Sequence, residues 1–248
     1  MKHHFCIKPP ETFGAKWYDF MGACDLVLLD APNFTPLAGL RVDIRTAIRY
    51  AYSYIESAVV ALGEDIFEVS SFGQYAINGV SNAELPATLN GFSITHTQPS
   101  DKVHVFQVSF SDHEHLTIKT LKDMVSVKWG MILGDRFKGA RGMLGDAENG
   151  KMLGRNGTVT FEDPNEFAAE WQVREDEAMN FMVSRAPQHP AQCILPEVDA
   201  AAQRRLGETA TIEAAEKACA NWAPEMRAAC VHDVIATGDL ELAEAGAF

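Results

Sequence analysis

The chain has 248 residues, of which 47% are hydrophobic and 22% charged, and this ordinary balance excludes wholesale disorder. Its 34 acidic residues outnumber its 21 basic residues, and the formal net charge of −13 disfavours nonspecific binding to nucleic acid. No run of about 18 apolar residues occurs, so the sequence predicts no membrane-spanning helix. Residues 1–6 also lack the apolar core of a signal peptide.

Residues 17 to about 130 have the pattern of a succession of short strands. In residues 40–45 apolar side chains alternate with Arg41, Asp43 and Arg45, and residues 103–105 show the same period of two. Such alternation places one face of a strand on a core and the other in water. We therefore expect the three charged side chains of residues 40–45 to face solvent.

Turn sequences separate these runs, including Asn78-Gly79 and Asn90-Gly91, which suit the positive φ angles of tight hairpins. Strands at this spacing, with no long helical pattern between them, predict an antiparallel β-sandwich or a barrel. Residues 51–62 fit both a helical and a strand period, and we interpret them as a strand.

Glycines crowd residues 134–157, which indicates tight turns and close backbone approach in place of regular structure. Residues 158–161 then read as a short strand. Phe167 and Trp171 follow at a spacing of four, which is typical of one helical turn.

Beyond residue 186 the composition changes. Prolines mark a linker over 187–198, and an alanine-rich, strand-poor segment fills 199–248. Thr209 or Thr211 would cap a first helix, and Pro224 would open a second. Cys219 and Cys230 fall on these two helices, close enough across a short turn to be bridged. We expect a helical hairpin stapled by this disulfide.

Motifs of nucleophilic catalysis and phosphate binding are absent, since neither Gly-x-Ser-x-Gly, nor a Cys/His pattern, nor a P-loop occurs. His113 and His115 could ligate zinc only if a third protein ligand joined them, and His104 is a candidate for that position. Solvated histidines are the favoured interpretation.

Three segments in order, residues 17–28, 138–150 and 163–173, resemble the opening strand, the Gly-rich loop and the closing Phe/Trp segment of von Willebrand factor type D domains. The resemblance covers residues 6–193. It implies a mainly β fold, with an antiparallel sandwich over residues 1–186 followed by the linker, which carries Cys193, and the helical tail.

The same resemblance predicts how the five cysteines pair. It implies a bridge from Cys24 to Cys193, which ties the first strand to the end of the domain. The family's loop cysteine is replaced by Leu144, so Cys6 is left unpaired or joins a second copy in a disulfide-linked homodimer. The Gly-Asp-Pro-His motif that follows the first cysteine in many members is missing after Cys6, and we expect no self-cleavage there.

Type D domains often hold Ca²⁺ in the Gly-rich loop, an ion that takes six to eight oxygen ligands. Lys151 and Arg155 would oppose a cation here. The available oxygen donors, and hence the predicted Ca²⁺ ligands, are Asp146, Glu148, Asn149 and Asn156.

The resemblance and the missing catalytic motifs favour a secreted, non-enzymatic interaction, adhesion or matrix module, with a protein or polysaccharide partner and a leader removed before these residues. The alternative is a secreted enzyme, a hydrolase or a luciferase-like oxidase, built on a type D domain. A third possibility is an intracellular, reduced protein of the same fold.

Overall fold

The computed structural model describes residues 20, 22–49, 52–130, 135–174, 177, 181, 193–194, 211–222 and 224–244. The predicted free Cys6 and nearly all of the predicted linker lie outside these residues. Thr209, one of the two candidate caps of the first tail helix, also lies outside them.

The fold is mainly β, and the described residues build one antiparallel sheet of eleven strands. The strands are β1 (Asp25–Ala31), β2 (Leu40–Arg49), β3 (Tyr52–Leu62), β4 (Asp65–Ser70), β5 (Tyr75–Ile77), β6 (Val80–Ser81), β7 (Ala87–Leu89), β8 (Phe92–Ser100), β9 (Val103–Ser109), β10 (His115–Leu121) and β11 (Met124–Trp129). The segment that fitted both a helix and a strand is therefore the strand β3, as predicted.

The sheet curls because β3 pairs with three neighbours. Along one edge it pairs with β2 over its whole length, from Leu40 opposite Leu62 to Arg49 opposite Tyr52. Along the other edge its second half pairs with β4, whereas its first half meets β11 at Ile55. Beyond β11 the sheet continues with β10, β9, β8 and β7, and β7 forms its last strand on that side. The β4–β5 and β8–β9 parts are brought together by this curl.

Aromatic rings fill the space that the curl encloses. Phe67 on β4 lies 5.9 Å from Phe106 on β9, and Tyr75 on β5 lies 5.2 Å from the same ring, measured between centroids. At another point of the core, Phe34 packs edge-on against Phe110 at 4.9 Å. These rings bury large apolar areas with the tilted and edge-on geometries that aromatic pairs prefer.

The expectation that Arg41, Asp43 and Arg45 face water is wrong. Asp43 is 1% exposed and Arg45 is 7% exposed. The alternation places them correctly on the face opposite the core, but a later part of the chain covers that face. Ion pairs satisfy the buried charges, and Arg45 forms a two-pronged pair with Asp25 at 2.8 Å on each side.

The covering segment, residues 138–174 with Glu177, contains α1 (Pro164–Trp171). Little regular structure precedes this helix. Asp163 caps α1 by accepting hydrogen bonds from two backbone amides of the first turn, and proline occupies the first helical position. The predicted strand over 158–161 is reduced to one bridge between Leu153 and Thr160.

Two disulfides are formed among the described residues. Cys24 at the start of β1 is joined to Cys193, across 169 residues of sequence, and Cys219 is joined to Cys230, across 11 residues. On the loop-entropy model the first bridge removes about 5 kcal/mol and the second about 3 kcal/mol of conformational freedom from the unfolded chain. The first bridge thus closes nearly the whole β region.

The described part of the tail contains α2 (Ile212–Ala218), a 3₁₀ turn at Cys219–Asn221, α3 (Pro224–Thr237) and a second 3₁₀ turn at Leu240–Glu244. Thr211 caps α2, and Gly238 takes a positive φ just past α3, as the sequence indicated. Apolar side chains of the tail bury Val103 and Leu121 of the sheet, so the tail packs on the β region. None of the described helices is long and apolar enough to cross a membrane.

Surface ion pairs lie where the tail meets the turns of the sheet. Lys122 contacts Asp239 at 2.5 Å and Glu241 at 2.6 Å, and Lys102 contacts Glu241 at 2.6 Å. Hydrogen bonds from the two lysines lower the pKa of Glu241 to about 2. These charges are largely solvated, and each surface pair contributes little to stability.

Candidate functional site

The Gly-rich segment lies along the free edge of β1. The backbone of Asp30 exchanges hydrogen bonds with that of Arg141, at 2.6 and 2.9 Å, and the Met143 amide donates to Val27 O at 2.9 Å. Gly142 has φ of +150°, and a Cβ there would lie 2.4 Å from Leu28 O. Only glycine permits so close an approach of the two backbones.

Three of the four predicted Ca²⁺ ligands, Asp146, Glu148 and Asn149, lie in the turn closed by the hydrogen bond from the Gly150 amide to Asp146 O at 2.7 Å, and Asn156 lies in a later turn. Asn149 Oδ1 accepts the Lys151 amide at 2.9 Å, and Asn156 Oδ1 accepts two amides further on. Asp146 is buried and Glu148 is exposed. Within the described part of the chain, no three Asp, Glu, His or Cys side chains form a group that could hold a metal.

The four side chains, as placed, are a poor set for an ion that takes six to eight oxygens, because two of their oxygens already cap turns. Calcium binding at this loop stays a prediction.

The sequence suggested Arg155 only as an obstacle to calcium, but its side chain contacts several groups of the covering segment. Its Nε donates to Glu170 O at 2.7 Å and its Nη2 to Gln172 O at 2.8 Å, both at the end of α1. Its Nη1 forms an ion pair with Glu177, and its guanidinium lies 5.0 Å from the Trp171 ring. One planar side chain thus satisfies several backbone and carboxylate oxygens, a geometry that suits arginine and not lysine.

The network continues onto β2. Arg41 forms an ion pair with Asp43 at 2.8 Å and a weaker one with Glu177 at 3.4 Å. Burial alone would raise the pKa of Glu177, but hydrogen bonds from Arg155 and the Arg174 amide, with the charge of Arg41, hold it below its usual value. Burial raises the pKa of Asp30 nearby, against the opposing charges of Arg41 and Arg155.

A second polar cluster joins β8, β9 and the turn before β5. His96 Nε2 lies 3.1 Å from His104 Nδ1, and the two ring planes are within 8° of parallel. The ring centroids are 5.3 Å apart, about the nitrogen–nitrogen distance plus one ring diameter. The two rings therefore meet edge to edge, within hydrogen-bond distance of each other. Phe106 stacks on His96 at 4.5 Å.

The turn that packs on this histidine pair presents an exposed aromatic residue. Phe72 has φ of +60° and is 62% exposed, and its amide donates to Lys122 O at 2.5 Å. A Cβ at Gly73 would come within 2.3 Å of the His104 ring, so glycine is required for the contact. A bulky residue in the left-handed region is strained, and such strain is concentrated at functional sites.

The chain matches no protein-family model, and a search of curated proteins found no match.

The structure joins Cys24 to Cys193 and Cys219 to Cys230, the two pairs predicted from the sequence. It does not bring His113 and His115 together with His104, whose partner is His96. His96 was missed because a β-bulge between Thr97 and Ser100 shifts the hairpin register, and no local sequence pattern reveals that shift.

Replacing Arg155 by alanine should lower the free energy of unfolding by about 2–3 kcal/mol, because partly buried carbonyl and carboxylate oxygens would lose their donor. Urea denaturation provides the measurement. The matched control is Arg174→Ala, which removes a half-exposed side chain with one 3.8 Å contact to Glu170 and should cost under about 0.5 kcal/mol. Equal losses in the two variants would contradict the role given to Arg155.

The histidine pair should make stability depend on pH. Burial and then the charge of His104 lower the pKa of His96 below its ordinary 6.5. Below about pH 6.5 the unfolded chain therefore binds a proton that the folded chain resists, and stability falls as the pH falls. Urea denaturation across this pH range should show that the free energy of unfolding falls less steeply with falling pH for His96→Gln than for the wild type. The exposed His113→Gln control should keep the wild-type decline; a His96→Gln variant that also keeps it would show that His96 is not the group responsible.

Proposed function

We propose that this protein is a secreted, non-enzymatic interaction module, a divergent relative of von Willebrand factor type D domains. The observation that carries the proposal is the bridge between Cys24 and Cys193, which joins the first strand to the end of the β region. Structural disulfides of this kind persist in oxidising compartments. The Gly-rich segment laid on the edge of β1, and the Trp171 helix that follows it, support the same relationship.

The proposal includes a sandwich architecture. The ring contacts of Phe67 and Tyr75 with Phe106 support it, since they join the β4–β5 part of the sheet to the β8–β9 part across the core. A tail stapled between Cys219 and Cys230 completes the proposed module.

The proposed contact surface is the Phe72 turn. Aromatic side chains are enriched in the centres of protein interfaces, where they supply a large apolar area at a small entropic cost. Phe72 is held outward by its backbone bond to Lys122 and by the packing of Gly73 on His104. The strained backbone therefore fixes an exposed aromatic anchor, and a protein partner is the class of ligand that it suits best.

Thiol counting tests the secreted state. The chain isolated from its native source and unfolded without reductant should show one reactive thiol per monomer, that of Cys6, or none if two copies are joined through it. Five reactive thiols would overturn the proposal, because both bridges would then be absent from the natural protein.

Binding to extracellular matrix tests the contact surface. The full chain should bind decellularised matrix saturably, and Phe72→Ala should weaken binding about tenfold. Val80→Ala is the matched control, since Val80 is a similarly exposed apolar side chain, 61% exposed, on strand β6 and outside the Phe72 turn. Equal binding by both variants would remove the Phe72 turn from the proposal, and protease treatment of the matrix that leaves binding intact would rule out a protein partner.

A further inference from the structure

Two of the nine asparagines stand in the sequence Asn-x-Thr, where x is not proline. They are Asn33, in Asn33-Phe34-Thr35, and Asn156, in Asn156-Gly157-Thr158. This tripeptide is the acceptor sequence for N-linked glycosylation in proteins that pass through the secretory pathway. We infer that both asparagines are glycosylation sites, an inference that rests on the proposed secretion of the chain.

The first acceptor lies in the connection between β1 and β2. Asn33 is exposed, and among the described contacts none involves its side chain. The middle residue, Phe34, is 1% exposed and anchors the loop in the aromatic core, 5.3 Å from Phe137. The buried Phe34 ring thus anchors the loop, while the side-chain amide of Asn33 stays in solvent.

The second acceptor lies in a turn of the Gly-rich segment. Asn156 is exposed, and its Oδ1 accepts the amides of Thr158 at 2.9 Å and Val159 at 3.1 Å. The turn therefore uses the oxygen of the side-chain amide and leaves Nδ2, the atom that would carry the sugar, without a partner among the described residues. A glycan at Nδ2 preserves both hydrogen bonds.

Exposed apolar side chains beside both acceptors give independent support. Leu37, four residues after Asn33, is 97% exposed and borders a surface groove of about 550 Å³ that Asn33 also lines. Val159, three residues after Asn156, is 48% exposed. Isolated apolar side chains are tolerated at a surface, but a glycan at each acceptor would shield these two from other chains.

The modification is a group transfer without oxidation or reduction. Asparagine Nδ2 forms a bond to the anomeric carbon of an oligosaccharide that is carried on a lipid diphosphate. The bond between that carbon and the diphosphate oxygen breaks, the lipid diphosphate leaves with the electron pair, and Nδ2 gives up one proton to a base of the transferring enzyme.

The structure selects a different variant for each site. Asn33→Gln removes the first acceptor without disturbing a contact, whereas Thr35 must stay because its hydroxyl accepts the Leu37 and Ala38 amides. Thr158→Ala removes the second acceptor sequence and keeps the Asn156 turn, because the turn uses only the backbone amide of residue 158.

The experiment expresses the full chain behind a secretory leader in eukaryotic cells and collects both the medium and the cell-retained fraction. Mass is measured before and after peptide N-glycosidase, in ¹⁸O water so that each occupied asparagine is marked as it becomes aspartate. The wild type should carry two glycans, Asn33→Gln and Thr158→Ala one each, and the double variant none.

Each outcome bears on the inference separately from the proposed function. A chain that enters the pathway and carries no glycan overturns the inference, and a glycan at one asparagine alone overturns it for the other. The proposed secretion does not depend on this result, since the thiol count of the natural protein decides it.

Discussion

Arg155 fixes the end of α1 and the residues just after it, because its guanidinium lies between two carbonyl groups at the end of α1, the carboxylate of Glu177 and the ring of Trp171. Through Glu177 it is linked to Arg41 on β2. The covering segment is therefore held on the sheet by directed polar contacts as well as by apolar packing. Burial of so many charges is tolerated only when each is paired, so loss of one partner is costly.

This constraint explains several features of the neighbouring sequence. Gly142 is needed where the covering segment approaches β1, and Asp25 with Arg45 repeats the paired arrangement at the start of β1. The bridge between Cys24 and Cys193 acts beside that second pair and reduces the freedom of the unfolded chain. Electrostatic and covalent restraints thus act on the same edge of the sheet.

Local patterns in the sequence predicted much of the β fold. The Asn-Gly turns take positive φ, as at Asn78 and Asn90, and the helix ends at Thr211 and Gly238 carry their expected caps. The burial of Asp43 was not predictable, since a period of two tells which residues share a face but not what later segment covers it. The pairing of His96 with His104 depends on a bulge, and the role of Arg155 on partners in the following helix and beyond it. Such contacts are long-range, or depend on register, and leave no short motif.

The proposed module thus has a covered edge at β1 and, apart from it, a strained aromatic turn at Phe72. Native-state hydrogen exchange tests the covered edge most directly. The amides of Asp30, Arg141 and Met143 should exchange only through openings whose free energy approaches that of global unfolding, because each donates to a backbone carbonyl between β1 and the Gly-rich segment. Exchange of these amides as fast as that of exposed Asn33 would show that the segment does not cover the sheet, and would contradict the account.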